Sequence, residues 1–320
     1  MSNELSPKTQ ELLMKLQEKF AQENQKLDDY LEGLLYNNYE PYWRYIAVDA
    51  LLALQQPKTD IPDEVIFIGY HQITELYFKL IIHELEQMSV GNLTDDRWKD
   101  KLTRIVRYFK NLIDSFDIMI EGMEMKQFLE FRMSLLPASG FQSAQFRMIE
   151  MACTDTFYLT AENHREHCKI EEVIDCYQNI YWKQGSIDTQ TGNRTLTLKQ
   201  FEEHYEKTFI EWALKWKNIN LNQQLLRLES EGKLTDELKG YFKTLDVYLN
   251  INWRLSHYRS AVRYLSSKGT DVSATGGTNW QKFLPPRFQR IISFPSLWTV
   301  EEKENWGKGW VDEQLLLMNK

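Results

Sequence analysis

The chain of 320 residues carries 38 Lys and Arg against 46 Asp and Glu, a formal net charge of −8, and 42% of it is hydrophobic. An acidic chain without a basic block argues against nucleic acid as a partner, and this apolar content is ample for a sizeable core. No run approaches the roughly 18 apolar residues of a membrane span, and the N-terminal stretch MSNELSPKTQELLMKLQEKF lacks the apolar centre of a secretory leader, so no membrane attachment is expected.

The three cysteines, Cys153, Cys168 and Cys176, show no CxxC spacing and fit a reducing cytoplasm. Only 14 Gly and 8 Pro interrupt the chain, and apolar residues recur at helical spacing throughout. The expected class is therefore all-α, a single large helical domain over residues 1–320. Ten Trp, 16 Tyr and 16 Phe imply aromatic packing and are compatible with a flat aromatic ligand.

In chain order, residues 7–36 predict one amphipathic helix, with Leu12, Leu13, Leu16, Phe20, Leu27, Tyr30, Leu31 and Leu34 on its apolar face. Tyr39, Tyr42, Trp43 and Tyr45 then crowd before a short helix that Pro57 ends. Asp63 is the expected N-cap of the helix EVIFIGYHQITELYFKLIIHELEQM. His71 lies inside it, on one face with Phe67, Glu75 and Phe78. By itself such a histidine reads as a core residue, and His83 likewise.

A turn, GNLTDDR, leads into a helix from about Trp98 to Met119. Phe128, Phe131 and Leu135 predict another helix, ended by Pro137-Ala138-Ser139-Gly140, and a further helix carries Phe141, Phe146, Met148 and Ile149. Arg132 sits within this apolar stretch. Burial of a guanidinium is costly unless an anion or acceptor meets it, so Arg132 is either a structural partner of an internal carboxylate such as Glu130 or Glu150 or a clamp for a ligand carboxylate. HREHC (164–168) offers His164, His167 and Cys168 but no second ligand pair, which favours a solvated helix face over a metal site. Residues 196–247 read as helical, with Trp212 and Trp216 one turn apart. Trp253, His257 and Ala261 share a helix face, and KGTDVSATGGTNW (268–280) is a loop without the GKS or GKT of a nucleotide site.

Four stretches, in order, carry a family resemblance: YWRYIAVDALLALQQ, FIGYHQITELYFKLIIHEL, FLEFRMSLLPASGFQSAQFRMIE and WRLSHYRSAVR. Together with ATGGT and FPSLW they resemble the tryptophan 2,3-dioxygenases. The resemblance implies an all-helical enzyme binding haem b, with L-tryptophan and O2 as substrates and N-formylkynurenine as product. It implies His257 as the axial ligand of the haem iron, with Ser139 and Gly140 along the haem edge. His71 would contact the indole N–H, Phe67 and Phe128 would border the indole ring, and Arg132 and Thr275 would hold the amino-acid head group.

Residues 1–57 would form an arm that reaches a neighbouring subunit of a homotetramer, with Tyr42 and Tyr45 walling the neighbour's pocket. The chain departs from the family pattern at Asp117, near which a Trp is usual, at Val262, where an acid is usual, and at Ala274, where Gly is usual. Asp117 could reach the axial histidine or lie on the helix surface. Two alternatives stay open: a haem-dependent oxygenase or hydroxylase of another aromatic amino acid or a substituted indole, and a non-catalytic helical interaction protein.

Overall fold

The computed structural model describes residues 5–91, 93–187, 193–267, 270–271 and 290–308, and the expectation for Thr275 lies outside them. The chain divides into two compact units, Met1–Gln56 and Pro57–Lys320. The fold is all-α. Among the described residues the only sheet is an antiparallel pair of two-residue strands, Ser266–Ser267 with Thr270–Asp271.

The first unit holds α1 (Pro7–Gln22), α2 (Leu27–Tyr36), α3 (Tyr42–Tyr45) and α4 (Val48–Leu52). Ser6 caps α1, its hydroxyl accepting from the Thr9 amide at 3.1 Å, and Pro7 occupies the first turn where no amide is needed. The single helix expected over residues 7–36 is in fact two. Asn24 takes a left-handed φ of 57°, and the Gln25 amide folds back onto the Phe20 carbonyl at 2.8 Å. Asparagine tolerates that conformation well, and the polar run around it has no apolar face to keep a helix packed. Phe20 and Tyr30 stack at 4.1 Å to close the hairpin. No described residue of this unit is buried within the chain.

The second unit opens with a turn closed by Glu64, whose carboxylate accepts the Lys58 and Thr59 amides at 2.9 and 2.8 Å. α5 (Asp63–Ser89) follows. Asp63 is the first helical residue rather than the cap; its carboxylate accepts the Glu124 amide at 2.6 Å and so ties the helix start to a distant turn. α6 (Asp95–Ile120) is capped by Thr94 and packs against α5. Phe78, Ile81, Leu85 and Met88 of α5 meet the stripe Leu102, Ile105, Phe109 and Leu112 in one core. The buried Lys101–Glu84 pair, 2.7 Å apart, crosses the same interface. By length and composition α5 could cross a membrane; here one face of it is built into this core.

Next come α7 (Met125–Phe131), a 3₁₀ turn (Arg132–Leu135), a second 3₁₀ turn (Gly140–Gln142) and α8 (Ala144–Cys153). The helix expected to run to Leu135 tightens at Arg132, so Arg132 projects from a junction rather than from a regular turn. α9 (Thr156–Leu159), α10 (Val173–Gln178), α11 (Tyr181–Gln184) and α12 (Leu196–Trp216) contribute to a second core, which includes Phe141, Trp182, Phe201 and Phe209. The region 196–247 resolves into α12, α13 (Leu221–Ser230) and α14 (Asp236–Val247), and the Trp212 and Trp216 rings lie 5.5 Å apart. α14 runs through a π turn (Tyr248–Asn252) into α15 (Trp253–Leu265). A 3₁₀ turn (Pro295–Leu297) and a short helix (Val300–Glu304) end the described chain.

Candidate active site

The α5 helix fixes His71 through its own backbone. Its Nδ1 lies 2.7 Å from the carbonyl oxygen of Phe67, one turn back. A carbonyl only accepts, so Nδ1 must carry the proton, and in the neutral ring Nε2 is left as an acceptor. Burial, the largest influence, lowers the His71 pKa below its ordinary 6.5, although the Phe67 carbonyl and Glu75 act the other way. His71 keeps accessible surface although protein atoms crowd it. Glu75, one turn on, is held by the Ser143 hydroxyl at 2.6 Å and by Gln145 Nε2 at 2.9 Å.

Aromatic rings surround this imidazole. Phe67 is 4.0 Å from it, and Phe67 also meets Phe128 at 6.3 Å and Phe131 edge-on at 5.8 Å. Tyr70 stands edge-on to His71 at 5.6 Å and packs on Phe116 at 5.6 Å. Phe116 then stacks on His257 at 6.1 Å, so a continuous run of rings joins the two histidines.

His257 comes from α15, and burial first, then His71 and Arg147, push its pKa down to about 4. The ring is therefore neutral near neutral pH, the form that ligates metals. Its Cε1 abuts Gly140: a Cβ placed there would lie 2.6 Å from that atom, closer than any real contact. Only glycine permits this approach. Ser139 starts the same 3₁₀ turn, its amide donating to Gln142 Oε1 at 2.8 Å.

The fold thus gathers Phe67, His71, Phe128, Gly140 and His257 from four parts of the sequence. Arg132 is buried, 8% exposed, and directly follows Phe131 of the aromatic wall. Glu150, weighed above as its structural partner, instead binds Arg147 and Arg254 at 2.7 Å each. Glu130 pairs with Lys126 at 3.8 Å. Tyr42 and Tyr45 belong to the first unit, where both rings are exposed.

Asp117 points to solvent and does not reach His257; Phe116, its neighbour, makes that contact. His83 is exposed. Cys168 turns into the interior while His167 faces out, so the HREHC residues diverge. Tyr70 and Phe116 were not singled out from the sequence. Phe116 was findable, since it continues the buried spacing of Phe109 and Leu112.

A family model described as tryptophan 2,3-dioxygenase matches residues 31–179. Curated relatives extend the likeness along the chain. A tryptophan 2,3-dioxygenase of Ruegeria sp. (strain TM1040) is 30% identical over 81% of this chain and 91% of its own length. One of Nocardioides sp. (strain ATCC BAA-499 / JS614) is 30% identical over 82% and 94%. One of Bacillus thuringiensis subsp. konkukian is 28% identical over 91% and 100%. Coverage of nearly the full length of these relatives at this identity, on an all-helical fold that brings the two motif histidines to one aromatic cluster, places the chain in the tryptophan 2,3-dioxygenase family.

Proposed function

We propose that this protein is a haem-dependent dioxygenase that adds both atoms of O2 across the indole C2–C3 bond of L-tryptophan, giving N-formylkynurenine. The observation that carries the reading is the Nδ1 contact of His71 with the Phe67 carbonyl, 2.7 Å. It leaves a fixed, neutral Nε2 acceptor beside Phe67, suited to the N–H of an aromatic heterocycle packed on that ring.

Haem b fits the residues present. Among the described residues no three His, Cys, Asp or Glu side chains converge on a bare ion. A single histidine would suit an iron whose other ligands a porphyrin supplies. When bound, ferrous haem would supply the O2 chemistry; the chain supplies orientation and a dry site. His257 would hold the iron, and Ser139 and Gly140 would lie along the haem. Phe67 and Phe128 hold the indole, and His71 receives its N–H. Arg132 would fork onto the carboxylate. The test is 18O2 labelling: two labelled atoms in N-formylkynurenine are expected, and a product with one or none overturns the reading.

The pH dependence follows from His71. Its depressed pKa means that the folded protein keeps the ring neutral above the ordinary value of 6.5 and protonates it only below. Tryptophan affinity should therefore stay flat from about pH 8 down to 6.5 and weaken only below it. A titration by calorimetry checks this, and weakening that starts above pH 7 would contradict the assignment.

The first unit supports an oligomer. Tyr39, Leu35, Tyr36 and Tyr45 are 84%, 83%, 79% and 78% exposed within the chain. A unit of 56 residues with no buried side chain among its described residues lacks a core of its own there. We assign it as an arm seated on a neighbouring subunit of a homotetramer in the cytoplasm. Deleting residues 1–56 should yield a smaller species in sedimentation and cost about tenfold or more in tryptophan affinity. An unchanged sedimentation coefficient per mass would rule the arm out as an assembly element.

A further inference from the structure

Behind the His257 ring lies a buried polar cluster that the proposed reaction does not use. Its centre is Glu150 on α8, 1% exposed. One carboxylate oxygen accepts from Arg254 Nη2 at 2.7 Å and from the Tyr181 hydroxyl at 2.6 Å. The other accepts from Arg147 Nη1 at 2.7 Å. Tyr181 Oη in turn accepts from Arg147 at 2.7 Å and from Arg254 at 2.9 Å. Two guanidiniums share one carboxylate, so neither can leave without stranding a buried charge.

The two arginines lead to opposite walls of the slot that holds His257. Arg254 lies three residues before His257 on α15, hence one turn away on the same helix. Arg147 Nε donates to the Phe141 carbonyl at 3.1 Å, and Phe141 directly follows Gly140, the residue against the His257 ring. Glu150 is thus common to the helix that carries the imidazole and the turn that the imidazole touches.

The cluster also continues away from the ring. Asn250 Oδ1 accepts from Arg254 at 3.4 Å, and Asn250 Nδ2 donates to the fully buried Asp246 at 2.7 Å. Asp246 also accepts the Ser293 and Phe294 amides and Trp298 Nε1, at 2.9, 3.1 and 2.9 Å. Asp246, Asn250 and Arg254 form one ladder through the π turn, a geometry often found at functional sites.

We infer that Glu150 is a positioning residue: by clamping Arg254 and Arg147 together it sets the width of the slot between α15 and Gly140, and so the angle and reach of the His257 nitrogen. This rests on the reading of His257 as the haem ligand. Glutamine at position 150 keeps the shape but removes the charge and turns its amide donor toward one of the two guanidiniums. The slot then relaxes while the apolar core around it stays intact.

The test uses the full chain, both haem-free and loaded with haem. In Glu150→Gln, ring signals of His257 in the haem-free protein, assigned by isotope-labelled histidine, should broaden or shift. In the loaded ferrous protein the iron–histidine stretching band should move or split. Haem transfer to excess haem-free myoglobin should speed up by about tenfold or more, the scale for outer-shell partners of a metal ligand. Gly140→Ala, which crowds the same ring from the other wall, should move the same band with the Glu150 cluster untouched.

If Glu150→Gln fails to fold, Tyr181→Phe decides, since it removes one hydroxyl and leaves both ion pairs; the same changes at smaller size are expected. A folded Glu150→Gln, or a folded Tyr181→Phe in its place, with wild-type ring signals, band and transfer rate overturns the inference. The failure of the underlying reading has a separate signature: His257→Ala that keeps the wild-type iron–histidine band.

Discussion

His257→Ala will abolish stoichiometric haem retention. The expected loss exceeds the roughly 10–100-fold that removal of a supporting residue costs a metal site, because the ligand itself is gone. The structure makes the experiment discriminating. His257 is packed between Phe116, stacked at 6.1 Å, and Gly140. Alanine there leaves a gap bounded by two groups that cannot ligate iron. The check is the ratio of Soret to protein absorbance after haem supplementation and gel filtration. A stoichiometric complex with an unchanged spectrum would remove His257 from the site.

Arg132→Leu will weaken L-tryptophan binding by about 2–5 kcal/mol, roughly 30- to 4,000-fold. Arg132 is 8% exposed at the break between α7 and its 3₁₀ turn, next to Phe131, whose ring meets Phe67 edge-on at 5.8 Å. A guanidinium at that point lies at the border of the aromatic wall, where the charged end of an amino acid would emerge from the indole pocket. Leucine keeps apolar bulk and removes the fork. The variant should therefore lose discrimination between L-tryptophan and tryptamine, which lacks the carboxylate, while its affinity for tryptamine changes little. Equal weakening for both ligands would mean that Arg132 only supports the wall.

The grouping of the candidate residues was partly legible because they sit in short, ordered motifs. Phe67 and His71 are one helical turn apart, and α5 places that pair as a helix must. His257 was legible for the same reason. What the sequence concealed is tertiary. The Arg254–Glu150 contact joins residues 104 apart, and nothing local says which buried arginine a glutamate will choose. That is why Glu150 could be weighed as a partner for Arg132 when it serves Arg147 and Arg254.

At residues 116–117, Asp117 was weighed from the sequence and Phe116 beside it was passed over. Helix phase decides between them, putting Phe116 on the buried stripe and Asp117 in solvent. The N-terminal helix divides at Asn24 because a polar run there lacks any surface to pack on, and an amphipathic count over residues 7–36 passes over so short a break. The tightening at Arg132 is equally local and invisible to periodicity, yet it decides the direction in which the guanidinium leaves the chain.

The central claim is that one site holds both haem and tryptophan, with His257 on the iron and the His71 and Arg132 side chains on the substrate. Its most direct test is an anaerobic absorption titration of the reduced, haem-loaded protein with L-tryptophan, followed by admission of air. The Soret band should shift saturably with tryptophan and, once air enters, the N-formylkynurenine absorption should grow. A Soret band that ignores tryptophan at every concentration, with no product after air, would contradict that claim.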